Sequence, residues 1–250
     1  MRLLLTLYRK ELKGYFLSPF GWIVLAFAAT MQGWSLSTAM TALSKAPLPE
    51  SLIYITFHTP NFWFYFLFLF PLITMRLFAE EERSGTLETM LTAPVSTWQV
   101  VLSKYCAAFS FYSVLWIPTV VHFQLFKTLT DIPAPFSNGA LVGILAFVLL
   151  NGAFYVAVGC LASALTSSQI IAGIITCGLL LIHFGLGFIT LYAGDGFAAA
   201  PLLHYLSSQL HLETFSKGLL DTRPVVYYLT MTAFCLILTL KVVDFRRWRQ

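Results

Sequence analysis

IPAPFSNGALVGILAFVLLNGAFYVAVGCLASALTSSQIIAGIITCGLLLIHFGLGFITLYAG, residues 132–194, runs for 63 residues without one Asp, Glu, Lys or Arg. A helix that crosses the hydrocarbon core of a bilayer needs roughly 20 apolar residues at 1.5 Å of rise each. The run is too long for one crossing and suits two, parted by the polar link at 163–169. It predicts helices over 138–162 and 170–191. Outward from it the pattern repeats. The stretches 14–44, 51–75, 105–126 and 224–240 are also uncharged, and each holds one further span, at 20–43, 61–78, 105–126 and 224–240. The expected fold is an all-α membrane protein of six transmembrane helices, one domain over 1–250.

Composition agrees. Charged residues make up 10% of the chain and mean hydropathy is +0.78, whereas soluble domains carry about 25% charged residues. Lipid must therefore be the solvent for much of the surface. The 23 Phe residues suit a lipid-facing surface and argue against disorder. Cys106, Cys160, Cys177 and Cys235 each lie inside an apolar run, and none forms a CxxC pair. They read as small buried apolar residues, so neither a metal site nor a disulfide framework is expected.

Residues 1–18 mix Leu3, Leu4, Leu7, Leu12 and Phe16 with Arg2, Arg9, Lys10 and Lys13. That mix describes either a helix lying in the membrane interface or an ordinary positive flank to the first span. The first apolar run is short and the next too long for a cleaved signal, so a retained first span is expected. The second span is crowded with Phe62, Trp63, Phe64, Tyr65, Phe66, Phe68 and Phe70. Its first part reads as an aromatic belt, and Pro71 is placed to kink it. Gly139 and Gly143 form a GxxxG pair, and further glycines follow in the fourth and fifth spans. Small residues let helices approach closely in lipid. Six spans put Arg2, Arg9, Lys10, Lys13, Arg76, Arg83, Lys104, Lys241, Arg246, Arg247 and Arg249 on one side, which is 11 basic residues. The other side receives Lys45, Lys127, Lys217 and Arg223, which is 4. This bias predicts that both termini and the charged segment after span two are cytoplasmic.

That segment, 79–104, is where charge concentrates: Glu80, Glu81, Glu82, Arg83 and Glu88. Gly85 breaks the chain after the acidic cluster. Thr86 is placed to cap a short helix over 87–92, with Glu88 favoured in its first turn and Pro94 beyond its end. Ser96 and Gln99 form a capping box, with Val95 and Val100 as its hydrophobic staple. The helix they open continues into span three. Physically this is either a capped solvated loop or a lever joined to two spans. Arg76 either pairs with Glu80 at i+4 or anchors a headgroup.

The run Glu81, Glu82, Arg83, Ser84, Gly85, Thr86, Leu87, Glu88, followed by Leu91, Pro94 and Lys104, resembles the cytoplasmic signature of ABC-2-type transporter permeases. It is most similar to the compact subgroup of gliding-motility and nitrous-oxide-reductase-maturation permeases. The resemblance implies that 79–104 is a coupling region contacting an ABC ATPase subunit. It implies contact residues Glu81, Glu82, Arg83, Gly85, Thr86, Leu87, Glu88, Leu91 and Pro94. A second patch, 211–228, resembles the same subgroup. There the resemblance implies an outer re-entrant segment over 195–223 that contains His211, Glu213, Phe215, Gly218 and Asp221. Outer loops are short, so no large extracellular domain grips a substrate.

No GxxxxGK[ST] loop occurs in the sequence, so ATP would be used by the partner and no cofactor bound directly. The implied assembly is a permease subunit of an ATP-driven exporter in a bacterial inner membrane. A second permease copy or homologue would pair with it, beside the lipid bilayer and a periplasmic or auxiliary membrane protein, with no nucleic acid. The alternative is an ATPase-coupled scaffold or mechanical transducer that moves no small molecule. An intramembrane enzyme is disfavoured, because no HExxH or paired-acid site is present. His58, His122, His183, His204 and His211 lack acidic neighbours at helical spacing and read as neutral, hydrogen-bonded rings. His183 is also placed to line a pathway. Glu213 and Asp221 are placed to pair with Lys217 and Arg223.

Overall fold

In the computed structural model the residues described are 2–45, 50–86, 95–129, 136–193 and 200–248. They form helices and, among the described residues, no strand. The first six are α1 (Arg2–Leu17), α2 (Pro19–Lys45), α3 (Leu52–His58), α4 (Pro60–Thr74), α5 (Ala79–Arg83) and α6 (Thr97–Val114). Then come α7 (Ile117–Leu129), α8 (Asn138–Ala164), α9 (Gln169–Ala193), α10 (Ala200–Leu206), α11 (Ser208–Ser216) and α12 (Thr222–Trp248). Among the described residues, six stretches are long and apolar enough to cross a membrane: Pro19–Lys45, Pro60–Arg83, Thr97–Leu129, Asn138–Ala164, Gln169–Gly187 and Thr222–Arg246. They match the expected spans in number and order.

The departures have local causes. The third span starts at Thr97, because the Ser96 N–H donates to Gln99 Oε1 at 3.3 Å and helix begins there. Val95 and Val100 are both buried. The same span breaks at 115–116, between α6 and α7. Pro118 has no N–H for the preceding turn, and its ring opposes the carbonyl four residues back. Backbone carbonyls at such a break need partners inside a bilayer. For Leu115, within the break, Gln32 of α2 supplies one, with Nε2 donating to its oxygen at 2.8 Å. Thr119 Oγ1 in turn donates to Gln32 Oε1 at 2.7 Å.

A short helix, α3, stands in what reads from sequence as the loop before span two. Ser51 Oγ accepts from the Tyr54 N–H at 3.1 Å and caps it. Thr59 then caps α4, where Pro60 holds the first position. Span two ends its regular helix at Thr74, three residues past Pro71, and a turn over 75–78 leads into α5. Its aromatic run is mostly core. Phe62, Phe66 and Phe70 are buried at i, i+4, i+8, while Phe64 and Phe68 on the other face are exposed. Phe66 and Phe70 pack edge to face at 5.1 Å and meet Tyr112 and Tyr155 of α6 and α8. The expected belt is therefore an aromatic spine between spans two, three and four. Such ring pairs add about 0.5–1.5 kcal/mol each beyond burial.

Span four is the central helix, packed against α4, α6, α9, α11 and α12. The GxxxG glycine Gly143 explains one contact. A Cβ there would lie 2.2 Å from the Phe215 carbonyl oxygen, so only glycine admits the α11 backbone this closely. α1 lies along α6 and the end of α4. Tyr8 Oη donates to Ser110 Oγ at 3.0 Å, Tyr15 Oη donates to the Ile73 oxygen at 2.8 Å, and Tyr15 stacks on Phe111 at 4.7 Å.

Candidate coupling site and outer segment

The charged segment is fixed on three sides. Its backbone entry is held by Ser163 of α8. That hydroxyl accepts from the N–H groups of Phe78 and Ala79 at 3.0 and 3.1 Å and donates to the Met75 oxygen at 3.2 Å. Ser163 thus caps α5 from another span and satisfies donors that the helix itself leaves open. Arg76 grips Glu80 with two bonds, Nε to Oε2 at 2.9 Å and Nη2 to Oε1 at 3.3 Å, and its guanidinium lies over the Phe20 ring at 5.4 Å. Both sequence readings of Arg76 thereby resolve into an ion pair.

Lys104 forms the second side. It is 2% exposed. Its Nζ lies 2.9 Å from Glu81 Oε1 and 3.1 Å from Glu11 Oε1, above the Phe78 ring at 5.6 Å. Lys10 reaches Glu81 at 4.0 Å. One buried ammonium therefore ties α1, α5 and α6 together. Burying a charge is costly unless it is paired, so the two carboxylates are what permit it. The third side is Glu82, whose Oε1 lies 2.6 Å from Arg246 Nη1 on α12.

The site residues read from sequence therefore divide. Glu81 and Glu82 turn inward to partners on α6 and α12. Arg83, Ser84, Gly85 and Thr86 are exposed. Gly85 takes φ +70°, which turns the chain away from α5 without the strain an L side chain would meet there. Thr86 Oγ1 lies 2.8 Å from Ser84 Oγ. Leu87, Glu88, Leu91 and Pro94, with the helix read over 87–92, lie outside the described residues.

At the other end of the bundle, α10 and α11 form the segment read as re-entrant. His211 and Phe215 are buried, and Gly218 takes φ +79°. Glu213 pairs with Lys217 at 2.6 Å, as the spacing suggests, and that hydrogen bond raises the Lys217 pKa. Asp221 instead accepts from the Arg223 backbone N–H at 2.9 Å and caps α12.

His183 and His211 find tyrosines from other helices, which no sequence spacing reveals. His183 Nδ1 lies 2.9 Å from Tyr155 Oη, and its Nε2 lies 2.9 Å from Tyr227 Oη. His211 Nδ1 lies 3.1 Å from Tyr228 Oη, which also accepts from Asn151 Nδ2 at 3.1 Å. Burial favours the neutral ring, whose Nδ1 shares a proton with the Tyr228 hydroxyl in a direction set by the tautomer. Burial pushes the His211 pKa down to about 4, partly opposed by the Asp221 carboxylate. The His183 pairs join spans four, five and six to one another, and the His211 pair joins α11 to span six, where Tyr228 also meets Asn151 of span four.

Residues 18–194, more than two thirds of the chain, match the family model described as ABC-2 family transporter protein. The match covers α5 and its surroundings, and stops short of α1 on one side and α10–α12 on the other. No curated protein matches the chain.

Proposed function

This chain belongs to the ABC-2 transporter family, and on that premise we propose that a separate ABC ATPase drives it through the segment 79–104. The observation that carries the proposal is the division within that segment. Glu81 and Glu82 lock α5 to spans three and six through Lys104 and Arg246, Lys104 also holds Glu11 of α1, and Glu80 pairs with Arg76 at the end of span two. The adjoining turn 83–86 faces solvent. A partner that pushes on this turn moves a helix already bolted to three elements, so force reaches the bundle instead of dissipating in a loop. The 11:4 distribution of basic residues supports placing both termini and this turn in the cytoplasm of a bacterial cell. The chain lacks a GxxxxGK[ST] loop, which fits nucleotide use by the partner.

The working unit is two permease chains with two ATPase subunits, and the direction is export. The sequence of 81–104 supports a place in the compact gliding-motility and nitrous-oxide-reductase-maturation subgroup. The proposal is tested by gentle solubilisation from the native membrane. An ATPase should co-purify, and Thr86→Trp, which adds bulk to an exposed position, should release it. A chain that purifies alone from native membranes, or an association indifferent to Thr86→Trp and Gly85→Trp, would count against the coupling site.

A further inference from the structure

A groove of about 670 Å³ opens on the side of the bundle between α4, α9 and α11. Its volume falls in the range of small-molecule sites, roughly 300–1,000 Å³. Its wall is apolar: Phe64, Leu67 and Phe68 from span two, with Leu181 and Phe184 from span five. Its polar lining comes from one end of the bundle, His58 of α3 with Gln209 and Glu213 of α11. Phe64, Phe68 and Leu181 are exposed on the bundle surface, so the groove opens toward the hydrocarbon. A long apolar wall with one polar end is the shape of an amphiphile.

The polar end states what head it takes. His58 Nδ1 lies 2.8 Å from the Tyr54 carbonyl, which can only accept. Nδ1 therefore carries the proton and Nε2 presents a lone pair. That Nε2 is buried and has no partner among the described residues, a costly arrangement for an acceptor unless something donates to it. Burial also lowers the His58 pKa, which keeps the ring neutral. Beside it, the Glu213–Lys217 pair presents a carboxylate and an ammonium within 2.6 Å of each other. The set is one unmet acceptor plus a charge pair of both signs. We propose that this groove binds a bilayer phospholipid whose zwitterionic headgroup carries a primary ammonium. The ammonium donates to Glu213 and, through a small side-chain shift that uncovers it, to His58 Nε2; the phosphate faces Lys217, and an acyl chain lies along Phe64, Leu67 and Phe68. A trimethylated head has the same charges but no N–H, and leaves Nε2 unmet. On the orientation proposed above this lipid belongs to the outer leaflet; the site itself does not depend on ATPase coupling.

The test is native mass spectrometry of the full chain, titrated with phosphatidylethanolamine and with phosphatidylcholine of identical acyl chains. The ethanolamine lipid should bind about fivefold tighter, the size of one net hydrogen bond. His58→Phe, and separately Glu213→Gln, should shrink that preference while choline-lipid binding persists. Leu181→Trp, which fills the groove from an exposed position, should weaken both lipids. Equal affinity for the two heads in the unaltered chain overturns the proposal, and needs no variant to fold. So does a preference that survives both His58→Phe and Glu213→Gln. A full-yield disulfide between Phe64→Cys of one copy and Leu181→Cys of another, unaffected by added lipid, would place a second copy in the groove and overturn it too.

Discussion

Replacing Lys104 by Met takes one ammonium from between two carboxylates that face each other across it. Nζ stands 2.9 Å from Glu81 and 3.1 Å from Glu11, and the lysine is 2% exposed while its partners are 17% and 16% exposed. At an effective dielectric of about 20, each contact is worth roughly 5 kcal/mol of gross attraction. Desolvation offsets much of this, but removing one partner leaves the others buried without compensation. Such losses run about 3–5 kcal/mol. Lys10, 66% exposed and 4.0 Å from Glu81, restores little. We expect Lys104→Met to cost about 3 kcal/mol, measured by denaturant unfolding in micelles. Glu81→Gln removes the matching charge, and the double variant should recover part of the loss. The cycle of the two should give a coupling of about 1.5–3 kcal/mol, within the range for residues in one network. Hydrogen exchange at 79–86 should quicken in Lys104→Met, because α5 loses its tie to α1 and α6. A loss below about 1 kcal/mol, or a coupling within about 0.5 kcal/mol of zero, would refute the claim that this ammonium is the clasp.

Three further outcomes follow from the same geometry. Glu82→Lys places like charges at the Arg246 contact, now 2.6 Å; the pair is partly exposed, so the loss should be about 1 kcal/mol, and Arg246→Glu in the same chain should restore it. Gly143→Leu drives a side chain into the Phe215 carbonyl; it should cost about 1–3 kcal/mol and speed hydrogen exchange across 208–216, whereas a substitution at Gly178, with nothing within 4 Å, should not. Acid should loosen α11. His211 has a native pKa of about 4 against about 6.5 unfolded, so the unfolded chain binds the proton that the buried ring refuses. Its contribution is intact above about pH 6.5 and is lost as pH falls toward 4, by about 2 kcal/mol at pH 5. His211→Phe should flatten that decline in unfolding free energy.

The spans were legible because charge is scarce and its gaps have bilayer length. The Ser96–Gln99 box was legible because both partners lie within one turn. α3 is only seven residues long and carries no amphipathic period, although its caps Ser51 and Thr59 are local signals that point to it. Span three reads from sequence as one helix over 105–126; Pro118 inside its apolar run is the local signal of the break that this reading missed. The contact from Gln32 to Leu115 has no such signal, since the two meet only through packing of α2 on the broken span. Distance hid the centre of the candidate coupling site in the same way. Lys104 and Glu11 are 93 positions apart, and 1–18 reads from sequence as an interfacial helix or a positive flank, neither of which points to Lys104. Glu81 and Glu82 read as surface charges until α1, α6 and α12 are placed around them. The aromatic run of span two misled because Phe serves a lipid face and a core alike, and only the i, i+4, i+8 alternation of burial separates them.

The central claim is that an ATPase bears on the exposed turn at 83–86. A photo-reactive amino acid at Thr86, in chains assembled in native membranes, tests it most directly. The account predicts an ultraviolet-dependent adduct with an ATPase subunit, absent when the reactive group stands at Ser44 on the opposite side of the first span. Adducts from Thr86 that join only the chain's own helices, in membranes where the ATPase is bound, would contradict it.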